Sequence, residues 1–405
     1  SVTLSKPWCH NIPRRRLHDG MFSYNNIIDK RPAPRARELL DVTLGPTPCG
    51  CSRRDVPALQ QNGVDAFIVD HLLSDEECDD LIRRCDRVEW SFWKHQAAGA
   101  TTEGLSLDTP LHGQSPPKTT ADDDEADTFH RHQGGGTEGV AALSHNTAEA
   151  TAATTAAAGA PPVRDSETAA RNFRSADTIE VDVPTFVDGL WTRLRRYFTE
   201  ETVDNPLSPG CIVFDEARDP ANYERDCQGT WHAAGFSPDA LFARYLDGGH
   251  FAPHVDGTSI VDFNQRTMYT ILVYLNDCAH GGETRVLQGE QCANLHVDPL
   301  TGKVTGNGLH VIYDMKPAKG AAIVFKYNAL HEGASVAPGS EKYIFRGDIL
   351  FERRPRVHDA ESDRAAFRCY QEARVKEATG DAMEAMRLFR RVRKLSDAVA
   401  DVYGL

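Results

Sequence analysis

The chain has 405 residues, a formal net charge of −14 at pH 7 and a sequence pI near 5.6. That length allows one large domain or two modest ones, and the acidic balance lacks the basic footprint of a nucleic-acid binder. No run approaches the roughly eighteen consecutive apolar residues of a membrane span. The opening residues lack the apolar core of a signal peptide. Ten cysteines, scattered over a chain this long, do not form a disulfide framework, so reduced thiols and a cytoplasmic address are expected. Cys9-His10 and Cys49-Gly50-Cys51 hold zinc-ligand residue types, but their spacing matches no zinc module.

Residues 1–60 are rich in Arg and Pro with little periodicity, which predicts a mostly irregular arm. Ala66-Phe67-Ile68-Val69 reads as a short strand. Ser74 and Glu77 have capping-box spacing for a helix carrying Cys78, Leu81, Ile82 and Cys85 on one stripe and ending before Glu89-Trp90. From 96 to 167 the composition shifts to Ala, Thr, Gly, His and the acidic run Asp122-Asp123-Asp124-Glu125. Such a segment buries too little apolar surface to offset its ordering entropy, and disorder is expected. His130 and His132 within it read as solvated low-complexity residues. Order resumes with a strand at 177–181. Pro184 then opens a helix whose Phe186, Leu190, Trp191, Leu194 and Phe198 fall at helical spacing. The low-complexity segment therefore interrupts one domain, 61–352, instead of separating two.

Short β runs follow at 241–246, 251–255, 268–274, 283–286, 309–315, 321–325, 334–336 and 342–351, punctuated by Gly, Pro and Asn. The spacing predicts a sandwich or barrel, here a double-sheet jelly roll. Beyond Arg356 two apolar stripes, Ala366/Cys369/Tyr370/Ala373 and Ala385/Leu388/Phe389/Val392, flank Gly380-Asp381. They predict a helical hairpin over 357–405, similar to a single tetratricopeptide-like unit. One such unit cannot bury its own face, so it packs on the barrel or takes a partner helix. The fold class expected is α+β: a double-stranded β-helix (jelly-roll) core with supporting helices, a disordered insertion and a C-terminal helical hairpin.

Two His-Val-Asp tripeptides occur, at His254/Asp256 and at His296/Asp298. Two neutral imidazoles and a carboxylate can occupy one face of a six-coordinate ferrous ion, leaving three positions for a cosubstrate and dioxygen. In an extended segment His254 and Asp256 point to the same side, and intervening strands can return His331 to them. The second pair lies in a Pro- and Gly-rich hairpin too near His331 for those strands, and reads as part of an insertion.

The ordered set carries more than any piece. It runs Arg244-Tyr245, then Phe251-Ala-Pro-His254-Val-Asp256-Gly257, Tyr269-Thr270 through Tyr274, and Gly281-Gly282-Glu283-Thr284. It closes with Pro317 through Phe325, His331-Glu332-Gly333 and Lys342-Tyr343-Ile-Phe-Arg346-Gly-Asp348. In this order the chain resembles the Fe(II)- and 2-oxoglutarate-dependent dioxygenases of the prolyl 4-hydroxylase-like family, strongly over 240–351 and weakly over the helical support at 64–200.

The resemblance implies that His254, Asp256 and His331 hold Fe(II). It implies Lys342 as the cation for the far carboxylate of 2-oxoglutarate, with Arg346 on the same strand face able to share or replace it. Tyr245 matches a tyrosine that hydrogen-bonds the cosubstrate, and Tyr274 has similar standing. Lys342 stands one residue further from the distal histidine than in close relatives, an extra residue the Pro338–Glu341 turn absorbs. The implied reaction consumes O2 and 2-oxoglutarate and releases succinate and CO2 with hydroxylation of a substrate, ascorbate serving as reductant. A protein or peptide substrate, prolyl first, is expected. Phe251 stands where peptide-hydroxylating relatives carry a tyrosine, which keeps a small-molecule substrate in view. A non-catalytic interaction protein, docking through the acidic insertion and the hairpin, is the rival of another class; the intact His254, Asp256, His331 and Lys342 count against it.

Overall fold

The structure, a computed structural model, describes residues 34–92, 171–198, 210–217, 224–289, 295–298, 300, 302–306 and 309–405. The expected insertion at 96–167 and the Cys9-His10 pair lie outside the described residues. The N-terminal part holds α1 (Pro34–Leu40), β1 (Ser52–Asp55), α2 (Pro57–Gln61), β2 (Ala66–Asp70), α3 (Asp75–Cys85) and β3 (Ser91–Phe92). Next come β4 (Arg174–Ser175), β5 (Asp177–Asp182), α4 (Pro184–Leu194) and β6 (Cys211–Phe214). The strands β7 (Gly229–Tyr245), β8 (His250–His254), β9 (Ile260–Asp262), β10 (Gln265–Tyr274) and β11 (Thr284–Leu287) follow. After them run β12 (His296–Val297), β13 (Val304–Thr305), β14 (Val311–Met315), β15 (Ala322–Lys326), β16 (His331–Gly333) and β17 (Lys342–Arg353). The chain closes with α5 (Glu361–Ala378), α6 (Ala382–Leu395) and α7 (Asp397–Tyr403).

Two antiparallel sheets face each other as a jelly roll. The larger runs β1-β2-β15-β10-β17-β7-β5-β3, with β6 on β7 and β9 on β10; the smaller runs β14-β11-β16-β8-β4. β10 is rich in β-branched and aromatic residues and is buried on both faces, as a central strand covered on two sides must be. One face, with Tyr269, Ile271 and Val273, packs on the helices; the other, with Leu272 and Tyr274, meets Val286 and Met315 of the smaller sheet.

The helices brace the outer face of the larger sheet. Ser74 and Glu77 form the expected capping box at the start of α3. Glu77 also takes the buried guanidinium of Arg193 from α4 at 2.6 Å. Arg193 further donates to the carbonyls of Leu72, Gly45 and Pro46, so one cation fixes α3, α4 and the chain between α1 and β1. From α4, Phe186 sits edge-on to Phe345 of β17, at 5.0 Å between centroids, and packs against Phe242 of β7.

Two expectations need correction. The segment 34–60 was expected to be mostly irregular, yet Ala36, Leu40 and Leu59 are buried there and β1 pairs with β2 in the register Ser52↔Asp70. The partner strand, absent from the local pattern, makes Ser-Arg-Arg-Asp a strand. The short run at 334–336 is not a strand either. The ladder falls on His331–Gly333 between β8 and β11, and Val336 makes an isolated bridge to Gly281.

The C-terminal hairpin forms as expected, with α7 as a third helix. It packs on the barrel: Phe263, between β9 and β10, joins the cluster of Ala366, Phe367, Tyr370, Leu388 and Val392. Tyr403 stacks on Tyr370 at 3.8 Å and donates to Asp226 Oδ2 at 3.3 Å. No helix among the described residues is long and apolar enough to cross a membrane.

Phe345 is fully buried between Phe186 and Phe242, three residues after Lys342 and one before Arg346 on β17, both of which face the other way. Replacing it with alanine is expected to cost about 3–5 kcal/mol, measured as a shift of the urea midpoint. A loss below about 1 kcal/mol would contradict this packing.

Candidate active site

His254 ends β8 and His331 begins β16, and the two strands pair with His331 directly opposite His254. Asp256 lies just past the end of β8, its backbone N–H on the carbonyl of Tyr327 at 3.1 Å. Its Oδ1 is 3.8 Å from His254 Nε2 and its Oδ2 3.9 Å from His331 Nε2. One ligand atom from each of the three side chains falls within 4.8 Å of the others. Sequence-distant imidazoles and a carboxylate thus converge in the interior between the sheets.

Each imidazole is oriented by its own strand. His254 Nδ1 lies 2.7 Å from the carbonyl of Ala252, and His331 Nδ1 lies 3.0 Å from that of Ala329. A carbonyl only accepts, so Nδ1 carries a proton in each ring and Nε2 is the nitrogen turned toward Asp256. Burial, then the facing His331, push His254 well below the usual histidine range, which keeps it a neutral donor. Asp256 is also buried, and burial alone would raise its pKa; Arg346 first, then the two imidazoles, hold it well below the usual carboxylate range. Asp256 Oδ2 is buried with no hydrogen-bond partner among the described residues. An anionic oxygen left so, facing two imidazole Nε2 atoms, suits a divalent cation between the three.

Beside this cluster β17 sends alternate side chains inward. Arg346 stands 3.6 Å from Asp256 Oδ1 and 3.1 Å from Asp348 Oδ1, and against the lowering effect of burial these carboxylates keep it protonated. Lys342 is 3 % exposed and forms no ion pair among the described residues. Its Nζ lies 5.4 Å from the ring centre of Tyr245 and 5.5 Å from that of Tyr274. Burial pushes it down to about 8, with Cys278 and Glu283 opposing. Tyr274 and Thr284 are hydrogen-bonded through their hydroxyls at 2.8 Å. At Gly282, with φ +73°, a Cβ would lie 3.3 Å from the Lys342 stem and 3.0 Å from Cys278 Sγ. The glycine turn is therefore what admits the lysine.

All seven residues singled out from the sequence lie in this interior. His296 is exposed in the separate β12–β13 hairpin, and Asp298 follows it there. A second cluster, Glu224, Asp226 and Cys227, already holds a cation: Arg266 donates to Cys227 Sγ at 2.8 Å and to Asp226 Oδ2 at 3.2 Å. Sequence reasoning missed Thr284 as the partner of Tyr274, Asp348 as the partner of Arg346, and Arg174, whose guanidinium lies 4.5 Å from the Phe251 ring centre. Thr284 follows a glycine turn already noted; Arg174 gives no local signal, because only the pairing of β4 with β8 brings it in.

Residues 240–347 match the model of the 2OG-Fe(II) oxygenase superfamily. No curated protein matches the chain. Among solved structures, a Pseudomonas putida prolyl-4-hydroxylase is similar at 18% identity over 45% of this chain and 74% of its own, with a TM-score of 0.24. A Trichoplax adhaerens prolyl hydroxylase in complex with a hypoxia inducible factor peptide fragment is similar at 15% identity over 48% and 67%, with a TM-score of 0.23. SnoN, a non-heme alpha ketoglutarate dependent epimerase from nogalamycin biosynthesis, is similar at 12% identity over 73% and 81%, with a TM-score of 0.31. Those scores are low, and the assignment stands on the family match over the segment that carries the motifs. That superfamily uses Fe(II) and 2-oxoglutarate, and the matched segment, which holds all seven residues of the site, supports an oxidoreductase activity for the chain.

Proposed function

We propose that His254, Asp256 and His331 hold Fe(II), that Lys342 anchors 2-oxoglutarate, and that the protein hydroxylates a protein or peptide side chain, prolyl first. The carrying observation is a pair of buried, uncompensated groups: Asp256 Oδ2 without a hydrogen bond and Lys342 without an ion pair among the described residues. A divalent cation completes the first, and a dicarboxylate completes the second. With both bound, the centre supplies oxidative decarboxylation: one oxygen of O2 goes to succinate, the other to a substrate carbon, and CO2 leaves.

The residues of the chain do the binding and orienting. Lys342 takes the far carboxylate, Tyr274 presents a hydroxyl that Thr284 holds in place, and Tyr245 walls the other side of the ammonium. Arg346 is committed to Asp256 and Asp348, so it keeps the metal-binding carboxylate anionic and leaves the cosubstrate to Lys342. We assign 61–352 to the oxygenase domain, and read 357–405 as its support. Ascorbate serves as reductant. Phe251, lacking the tyrosine hydroxyl, favours a small-molecule hydroxylase as the second reading. Succinate release stimulated by proline-containing peptides, and not by metabolites, decides between the two.

Lys342→Met removes the buried cation. The 2-oxoglutarate concentration for half-maximal succinate release should rise on the order of 10²-fold, while iron affinity stays within a few-fold. An unchanged requirement would rule out Lys342 as the anchor. The pH dependence has a fixed sign: the dicarboxylate binds the ammonium form, and the free site loses that proton near pH 8. Affinity is therefore full below about pH 8 and weakens as pH rises through it, approaching tenfold per unit. Isothermal titration from pH 7 to 9.5 reads this directly; a flat profile would contradict it.

A further inference from the structure

We infer that Phe251 is a positioning residue for the metal ligand His254, clamped there by a β-bulge and by Arg174. This rests on the reading of His254 as an iron ligand.

The β8–β16 ladder pairs His331 with His254 but Gly333 with Phe251. Ala252 and Pro253 thus oppose the single residue Glu332, which is a bulge on β8. Proline suits that place, since a bulged residue need not donate to the ladder. In a regular strand residues three apart point to opposite faces; the extra residue returns both rings to one side. Phe251 stacks on His254 with 3.6 Å between ring centroids and 18° between planes.

The other side of Phe251 is also occupied. β4 pairs with β8 at Arg174↔Phe251, and the Arg174 guanidinium lies 4.5 Å from the ring centre. A ring stacked at 3.6 Å leaves no room for a guanidinium on the same face, so Arg174 covers the opposite one. Phe173 meets the ring edge-on at 5.7 Å. His331 lies 4.2 Å from His254 between ring centroids and 4.5 Å from Phe325. The two imidazoles therefore sit in a row of neighbouring groups, Arg174, Phe251, His254, His331 and Phe325, in which Phe251 and His254 are stacked and the other ring pairs are tilted. The Ala252 carbonyl fixes which nitrogen of His254 is protonated, and Phe251 fixes the plane of the ring, so the Nε2 lone pair has one direction. Nothing in this role uses a phenolic hydroxyl, which accounts for a phenylalanine at 251.

The test is Mn(II) binding to the full chain, read as loss of the free-ion resonance by electron paramagnetic resonance. Phe251→Leu keeps an apolar side chain but loses the flat ring, and should weaken Mn(II) by about tenfold or more. Phe251→Tyr keeps the ring and should stay within about threefold of wild type. Arg174→Met should weaken Mn(II) to an intermediate degree, about threefold to tenfold. At saturating metal the half-maximal 2-oxoglutarate concentration should be unchanged in all three, since Lys342 is untouched. Leucine binding Mn(II) as tightly as wild type, or tyrosine losing as much as leucine, overturns the inference. Should circular dichroism show Phe251→Leu unfolded, the Tyr and Arg174→Met pair decides: weakened binding in the second with binding kept in the first supports the clamp, and any other pattern overturns it. A wild type that binds no Mn(II) sinks the iron reading itself, a separate failure.

Discussion

Asp256 sits between two imidazoles in the closed interior of the jelly roll, with Arg346 3.6 Å away and one oxygen given no hydrogen bond. A carboxylate in that position would protonate in an apolar surround. The guanidinium, itself only partly buried, reverses the tendency and is paired in turn. Asp348, with Thr270 beside it, completes that pairing. The Nε2 atoms of His254 and His331 face the Asp256 carboxylate, a donor set that suits a divalent cation between them.

The same strand that supplies Arg346 supplies Lys342, and its outward residues carry a different load. Tyr343, Phe345 and Ile349 join the helix-covered core, while Ile344 joins the cluster between the sheets. Lys342 lies opposite Tyr245 of β7 in the ladder, and Arg346 lies opposite Leu272 of β10. The position of each cation is therefore set by a register that the outer core stabilises, through Phe186 and Arg193 of α4. Further out, Asp226 and Cys227 hold Arg266 of β10 and receive Tyr403 of α7. The C-terminal helices thereby brace the strand from which Thr270 and Tyr274 enter the site.

Much of this was legible in the sequence because the site is built from strand parity. His254, Asp256, His331, Lys342 and Tyr274 lie in short alternating runs where spacing alone tells direction, and the glycines at 281 and 282 mark where a side chain is excluded. What stayed hidden depends on partners far away in the chain. Ser52–Asp55 became a strand through β2, and Arg174 reached Phe251 through β4. The β8 bulge is not readable from Phe-Ala-Pro-His, since it exists only relative to β16. Lys342 and Arg346 are both basic and both face inward, so their spacing does not distinguish them; the ion pairs of Arg346 with Asp256 and Asp348 depend on the fold.

The central claim is that one ferrous ion and one 2-oxoglutarate share this interior, the ion held by His254, Asp256 and His331. It is tested most directly by anaerobic addition of Fe(II) and 2-oxoglutarate to the full chain while recording visible absorption, since a 2-keto acid chelating ferrous iron produces a charge-transfer band. The account predicts a band that saturates at one iron per chain and is lost in His331→Ala. Absence of the band in the wild type, or a band of full intensity in that variant, would contradict it.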